Sequence, residues 1–293
     1  MIGAREFTLK LKGKWHGVSG NAPCPVCQPE RRPDQGALSL KDGVDGHLLL
    51  HCFKSGCDFR AILAASDVSA TEIENRVPWT PVHHQAPNRD EVERRSRQAQ
   101  SLWGETCAIA GTIAEHYLRE ARGITCALPA TLRFHPACWH PSGRRYPAMI
   151  ARVEGSDGFG IHRTYVRPDG FDKAPINKPK TMLGAVAGGA VRLSDGTDTV
   201  LVAEGIETAF SAWILRGGVR LRVWAALSTS GMKAVRLPDD PGSLVIAPDG
   251  DRAGRAAALA LADRACRDGW AVSILTPPEN GDFNDLLRNE VLA

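Results

Sequence analysis

From residue 199 onward, short runs of continuous apolar residues alternate with helix-like segments, and this alternation constrains the fold more than any other feature of the chain. Thr199–Ala203, Leu221–Leu227, Ser243–Ala247 and Ala271–Leu275 read as strands. Ile206–Arg216, stopped by Gly217-Gly218, reads as a helix, as do the alanine-rich Arg252–Arg267 and the short Asn284–Asn289. Strands without polar alternation are apolar on both faces, so they predict a parallel sheet covered by helices on either side.

The acidic residues of this block fall where the strands run out. Val202-Ala203 delivers Glu204-Gly205, and Ala247-Pro248 delivers Asp249-Gly250-Asp251. After the last strand comes Asp282-Phe283-Asn284-Asp285. Open parallel sheets collect ligands at the carboxyl ends of their strands. Alternate carboxylates in Asp-Gly-Asp can share one hard cation, with glycine permitting the tight path, and oxygen-only ligation favours Mg²⁺ or Mn²⁺ over zinc. Helix capping is the competing role for Asp249, and a place in the first turn of the last helix is the competing role for Asp285.

A second cluster lies at the other end. Cys24-Pro25-Val26-Cys27 and Cys52-Phe53-Lys54-Ser55-Gly56-Cys57 flank an expected hairpin, Ala37–Leu40 and Leu48–His51, which turns through residues 41–46. Two knuckles supply four thiolates, the set a structural tetrahedral Zn²⁺ requires. His51 competes with Cys52 for the fourth place; strand neighbours face opposite ways, and Cys52 is favoured. The second knuckle is wider than the usual two-residue spacing. A unit of this size would draw folding energy from the metal itself. Cys107, Cys126, Cys138 and Cys266 are scattered and read as buried apolar residues.

Four segments follow from these patterns: a zinc-ribbon unit over 1–70, a linker over 71–90, a mixed α+β segment over 91–195 and the α/β block over 196–293. The linker carries Pro78, Pro81 and Pro87 among His83, His84 and Gln85. Glu91–Arg122 reads as one helix ended by Gly123, and Tyr146–Val153 with Gly160–Val166 as two strands joined at residues 155–158. The net charge of +3 names no partner. Yet residues 121–153 contain no acid and include Arg122, Arg133, Arg144, Arg145 and Arg152, a balance that suits a polyanion or a solvated basic face. No signal-like core opens the chain, and the small-residue run 184–190 is far short of the ~20 residues that span a bilayer. The expectation is a cytoplasmic protein without a membrane segment.

Val202-Ala203-Glu204-Gly205 together with Ala247-Pro248-Asp249-Gly250-Asp251-Arg252-Ala253-Gly254 resembles the Toprim domain of topoisomerases, primases and some nucleases. The cysteine unit, with His51-Cys52-Phe53 and Gly56-Cys57-Asp58, is similar to the zinc-binding domain of bacterial and phage primases. The segments Tyr146–Met149, His162–Tyr165 and Lys180–Gly184 look like the region preceding Toprim in phage- and plasmid-type primases. The resemblance runs along most of the chain in one order. It implies an N-terminal zinc ribbon, a mixed middle segment and a C-terminal Toprim sheet of Rossmann-like type. Thr208 departs from it, since an aspartate commonly stands four residues after the glutamate; here Glu207 stands one place earlier.

The activity implied is synthesis of short RNA primers on a single-stranded DNA template from ribonucleoside triphosphates. Asp249, Asp251 and Asp282 would hold Mg²⁺ or Mn²⁺, and Glu204 would be a further ligand or the general base. Arg163, Lys173, Lys178 and Lys180 are assigned to triphosphate and template backbone, Lys54 and Arg60 to template phosphate at the zinc unit. Trp79, Trp139 and Trp224 are either base-stacking or buried. A Toprim nuclease and a non-catalytic zinc-ribbon module binding single-stranded DNA remain the alternatives. No Gly-x-x-x-x-Gly-Lys-Ser/Thr loop occurs, so a separate replicative helicase or initiator is the expected partner.

Overall fold

The structure is a computed structural model that describes residues 3–32, 35–43, 48–66, 89–196, 198–279 and 281–291. Residues 71–88 of the expected linker, with its prolines, histidines and Trp79, lie outside the described residues, as do turn residues 44–47, while residues 89 and 90 already belong to a helix. The chain divides into two compact units, Met1–His83 and His84–Ala293.

In the first unit a four-stranded antiparallel sheet runs in sequence order: β1 (Lys14–Trp15), β2 (Gly20–Ala22), β3 (Leu38–Asp42) and β4 (Leu48–Cys52). The expected hairpin is present, with Leu38 opposite Cys52 and Asp42 opposite Leu48. Two helices went unread in the sequence. Helix α1 (Ala4–Lys10) buries Ala4 and Phe7 against the sheet, and the short α2 (Phe59–Ala64) is capped by Asp58, whose carboxylate accepts from the Arg60 and Ala61 amides. Phe7, Leu11, Leu38, Leu40 and Ile62 make a small core that also encloses Cys24 and Cys52.

The second unit contains two five-stranded sheets. The first is antiparallel, in the order β5 (Cys107–Ala108), β6 (Leu132–Trp139), β7 (Arg145–Val153), β8 (Gly160–Tyr165) and β9 (Lys180–Gly184). Strand β8 is buried along its whole length because both faces are covered. Helix α3 (Arg89–Gly104) lies over one face through Ala99, Leu102 and Trp103. Helix α4 (Ile113–His116) continues into a π-helical turn at Tyr117–Ala121, whose Tyr117 and Leu118 lie over the other face. The single helix expected over Glu91–Arg122 is therefore three elements. Helix α3 ends at Gly104, β5 joins β6, and Gly111 takes a left-handed φ of 72° before Thr112 caps α4. Gly123, at φ 68°, does end the last of them.

The second sheet has the order β10 (Val191–Ser194), β12 (Arg222–Ala225), β11 (Thr199–Ala203), β13 (Ser243–Ala247) and β14 (Ala271–Ile274), with β11 to β14 parallel and β10 an antiparallel edge. Side chains alternate as strand geometry requires. Leu201, Ala203, Val223, Ala225, Val245 and Ala247 meet α5 (Ile206–Leu215) and α8 (Phe283–Val291) on one face. Val200, Val202, Trp224, Leu244 and Ile246 meet α6 (Thr229–Ala234) and α7 (Arg252–Arg267) on the other. The first of these cores is continuous with the Tyr117–Leu118–Met149 face of the antiparallel sheet, so the two sheets share one interior. Among the described residues no helix is long and apolar enough to cross a membrane.

Candidate active site and metal centre

In the N-terminal unit, Sγ atoms of Cys24, Cys27, Cys52 and Cys57 all lie within 4.8 Å of one another. The strand-end position of Cys52 turns it inward, whereas His51 is exposed and stacks edge-on against Phe53 at 4.4 Å between ring centroids. Burial opposes ionisation of Cys52, but the amides of Ser55, Cys57 and Lys54 point at its sulfur and bring the thiol down to about 6. Cys27 and Cys57 are pushed the other way by burial and by neighbouring thiols. Four sulfurs this close suit a tetrahedral metal, which would remove that conflict. Among the described residues this is the one group so arranged. Of the scattered cysteines, Cys138 is buried and Cys126 half-buried. Cys107 and Cys266 are exposed, contrary to expectation: the first sits on a two-residue edge strand, the second on the outer face of α7.

In the second unit a cleft of about 230 Å³ opens where β11, β13 and the segment after β14 end. Its acidic side comprises Glu204, Asp249 and Asp282; Arg122, Lys173 and Lys180 supply positive charge, and Gly205, Glu207, Thr208, Leu227 and Asn284 complete the lining. Strands β11 and β13 are paired in parallel with Ala203 opposite Ala247, so Glu204 and Asp249 emerge from the same sheet edge. The Leu227 amide donates to the Glu204 carbonyl at 2.7 Å, and the Thr229 amide to its carboxylate.

Burial and the nearby Asp249 and Asp251 carboxylates push the Glu204 acid up to about 7. Burial and Asp282 push Asp249 up to about 6, partly relieved by Lys180 and by the Thr208 hydroxyl, 3.4 Å away. Asp251 lies one turn away as the cap of α7, its Oδ1 accepting from the Gly254 amide at 2.7 Å. Asp282 caps α8 in the same manner, its Oδ1 accepting from the Asn284 and Asp285 amides. Capping thus engages one oxygen of each and leaves Oδ2 for another ligand. These carboxylates do not close on one another as the cysteines do. Their chemistry still fits a hard divalent cation: the donors are all oxygen, and the Glu204 and Asp249 acids, raised by burial and by neighbouring carboxylates, would be relieved by positive charge.

The basic residues expected at this site separate into two groups. Lys180, the first residue of β9, and Lys173 reach the cleft. Lys178 is exposed, with φ 58°, and Arg163 is buried on β8 with one guanidinium nitrogen donating to the Trp139 carbonyl at 3.0 Å; neither lines the cleft. Arg163 thus serves the sheet, a placement that follows from the burial of β8 on both faces. Trp224 is buried in the core, whereas Trp139 is half-exposed beneath the Arg145 guanidinium.

Several contributors were not evident from strand-end reasoning. Glu207 is buried, accepting from the Tyr117 hydroxyl at 2.7 Å and from Lys180 Nζ at 3.0 Å. Burial alone would raise this acid, but Lys180 and Lys173 hold it below the usual carboxylate range. Arg122 pairs with Asp172 and lies over the Tyr117 ring, and Asn284 Nδ2 donates to the Arg122 carbonyl and to Ser211 Oγ. Glu207 and Thr208 had marked themselves as the departure from the expected Toprim pattern; Tyr117 and Asn284 gave no local signal.

A largely parallel sheet with helices on both faces and carboxylates at its strand ends, in a chain that also carries a four-cysteine cluster, defines an α/β protein with a C-terminal Toprim fold. Residues 199–291 match the Toprim domain, and residues 93–193 match a domain of unknown function (DUF7146). Among solved structures, the chain is similar to the zinc-binding and RNA polymerase domains of the Aquifex aeolicus primase, with 14% identity, a TM-score of 0.41, and coverage of 96% of this chain and 78% of that one. It is similar to the primase fragment of the bacteriophage T7 primase-helicase protein at 15% identity and a TM-score of 0.39, covering 92% and 94%. The RNA polymerase domain of Mycobacterium tuberculosis primase DnaG gives 16% identity and a TM-score of 0.38 over 70% and 83%. No curated protein matches the chain.

Proposed function

We propose that this chain is a DNA primase, joining ribonucleoside triphosphates into short RNA primers on a single-stranded DNA template. The observation that carries this reading is the composition of one cleft, in which Glu204, Asp249 and Asp282 stand with Arg122, Lys173 and Lys180. Carboxylates alone would suit a cation and lysines alone an anion; together they suit a nucleotide whose phosphates travel with metal.

In the step proposed, a primer 3′-hydroxyl attacks the α-phosphate of the incoming nucleotide. A new P–O bond forms, the α–β anhydride bond breaks, and pyrophosphate leaves. Glu204, raised to about 7 by its setting, is suited to accept the hydroxyl proton near neutral pH. Lys173 and Lys180 would take the charge that builds on the departing pyrophosphate. Mg²⁺ or Mn²⁺, held by the free oxygens of Asp249, Asp251 and Asp282, would supply neutralisation of the attacking and leaving oxygens.

The zinc-ribbon unit, with Phe53 71% exposed beside Lys54, is assigned to the template strand, where bases can stack and phosphate can pair. A separate helicase or initiator would deliver that strand.

The test is incubation of the protein with single-stranded DNA, labelled ribonucleotides and Mg²⁺ or Mn²⁺, with products resolved on a gel. Short oligonucleotides that vanish with Asp249→Asn and Glu204→Gln are expected. Shortened template without new oligonucleotides would make the protein a nuclease, and binding without either product would make it a binding module.

A further inference from the structure

Lys180 and Glu207 form a contact between the two sheets of the second unit. Lys180 opens β9 of the antiparallel sheet, and Glu207 sits in the first turn of α5, which packs on the parallel one. Glu207 is 6% exposed, and both its oxygens are engaged: Oε1 by the Tyr117 hydroxyl at 2.7 Å, Oε2 by Lys180 Nζ at 3.0 Å. Tyr117 is itself fully buried on the π-helical turn, with the Arg122 guanidinium over its ring. The carboxylate is therefore held in place at the wall of the cleft.

The lysine differs. Its side chain is 35% exposed, it lines the cleft, and an ammonium carries three donors of which Glu207 takes one. The charges facing it are Glu207 from α5, Glu204 and Asp249 from the strand ends, and Lys173 from the segment before β9, with His162 of β8 alongside. A flexible lysine in that setting could fold onto the catalytic carboxylates and cancel them; the clamped Glu207 holds it back. An ion pair with one partner buried and the other part-exposed is by itself weak evidence for stability, so a positional role accounts better for these groups than a purely structural one.

We propose that Glu207, clamped by Tyr117, is a positioning residue that fixes the Lys180 ammonium in the cleft for the phosphates of an incoming nucleotide. This deepens the primase reading and rests on it for the identity of the ligand.

The test is a double-mutant cycle on the full chain, reading ATP and GTP affinity with Mg²⁺ by calorimetry and KM and kcat by primer synthesis. Glu207→Gln keeps the tyrosine bond and loses the charge; Tyr117→Phe keeps the charge and loosens the clamp. Each is expected to weaken nucleotide binding, by about tenfold and about threefold, with kcat changed less than KM. In a Lys180→Met background neither should have any further effect, because the lysine they act through is gone. Equal losses with and without Lys180 would overturn the proposal, as would wild-type protein that binds no nucleotide. Coupled nucleotide binding without primer formation would remove the primase reading and leave this inference standing. Primer formation with an additive cycle would do the reverse.

Discussion

The Gly250 amide donates to the Gly281 carbonyl at 2.8 Å, tying the turn after β13 to the segment that leads into α8. Asp249 and Asp251 flank one end of this bond and Asp282 follows the other, so a single backbone contact brings together carboxylates from stretches about thirty residues apart. Side-chain capping then orients two of them, since Asp251 and Asp282 each commit Oδ1 to a helix N-terminus. The acidic side of the cleft is thus set by backbone, and the protonation of Glu204 and Asp249 by burial and neighbouring carboxylates.

That protonation has a sign that can be measured. Glu204 and Asp249 have their acids raised, to about 7 and about 6, so the folded state holds protons that the unfolded chain releases near pH 4. Their contribution to stability is present below the unfolded values and is lost as pH rises through 6 to 7. Without divalent metal, thermal melting should fall between pH 5 and 8 by roughly 2 kcal/mol after allowance for solvent screening, or about 4–8 °C. Glu204→Gln should flatten that slope and raise the melting temperature at pH 8 while abolishing primer synthesis. Mg²⁺ should restore stability above pH 7 in wild type and fail to do so in Asp249→Asn. A melting temperature that rises with pH in the absence of metal would contradict this arrangement.

The cysteine site predicts a different response to chelation. Structural zinc in small domains contributes on the order of 10 kcal/mol to folding, and the core of the first unit is built around Cys24 and Cys52 themselves. Stripping metal, or Cys52→Ser, should expose the first 66 residues to protease while the second unit keeps its melting transition. His51→Ala should leave one zinc per chain by atomic absorption, because its ring is exposed against Phe53 and lies outside the sulfur cluster.

The parts legible in the sequence were those whose cause is local. Leu244–Ala247 is apolar at every position and ends in Pro248-Asp249, so strand, sheet class and strand-end acid could be read together. Arg252–Arg267 was read to its end residues because alanine fills it, although its cap is Asp251 and not Asp249, the residue for which capping was the competing role. What could not be read depends on tertiary partners. Residues 105–121 keep helical spacing at Ile109, Ile113 and Tyr117, yet Cys107–Ala108 is taken up by β6, a pairing no local pattern announces. Tyr117 and Glu207 meet across ninety positions, and Arg163 looks like any other basic strand residue until β8 is seen to be covered on both faces. Charge identified candidates, whereas burial decided which of them reach the cleft.

Asn284 is the tie between the cleft and the interior. It is 3% exposed, and its amide bridges the Arg122 carbonyl at 2.7 Å and Ser211 Oγ at 2.9 Å. Asn284→Ala would take a donor from the buried Ser211 hydroxyl and from the part-buried Arg122 carbonyl, at about 1–3 kcal/mol. Urea unfolding should show that loss as a lower midpoint with an unchanged slope. Primer synthesis should fall as well at permissive temperature, because Asp282 is two residues away on the same cap.

Asp282 and Asp285 provide a separation of roles on a single helix end. They form a reciprocal pair: Asp282 Oδ1 accepts from the Asp285 amide at 3.0 Å, and Asp285 Oδ2 accepts from the Asp282 amide at 3.1 Å. Both therefore stabilise α8, but Asp282 lines the cleft and Asp285 does not. Asp285→Ala should cost about 1 kcal/mol, as the loss of a cap partner does, with primer synthesis within about threefold of wild type below the melting transition. Asp282→Asn keeps an acceptor for the cap, so its melting temperature should stay close to wild type. It removes a charge from the cleft, and synthesis should fall by about 100-fold or more, with partial recovery at raised Mn²⁺ concentration. Equal activity losses in the two variants, scaling with their stabilities, would show that the segment acts through the helix alone and that Asp282 has no part in the chemistry.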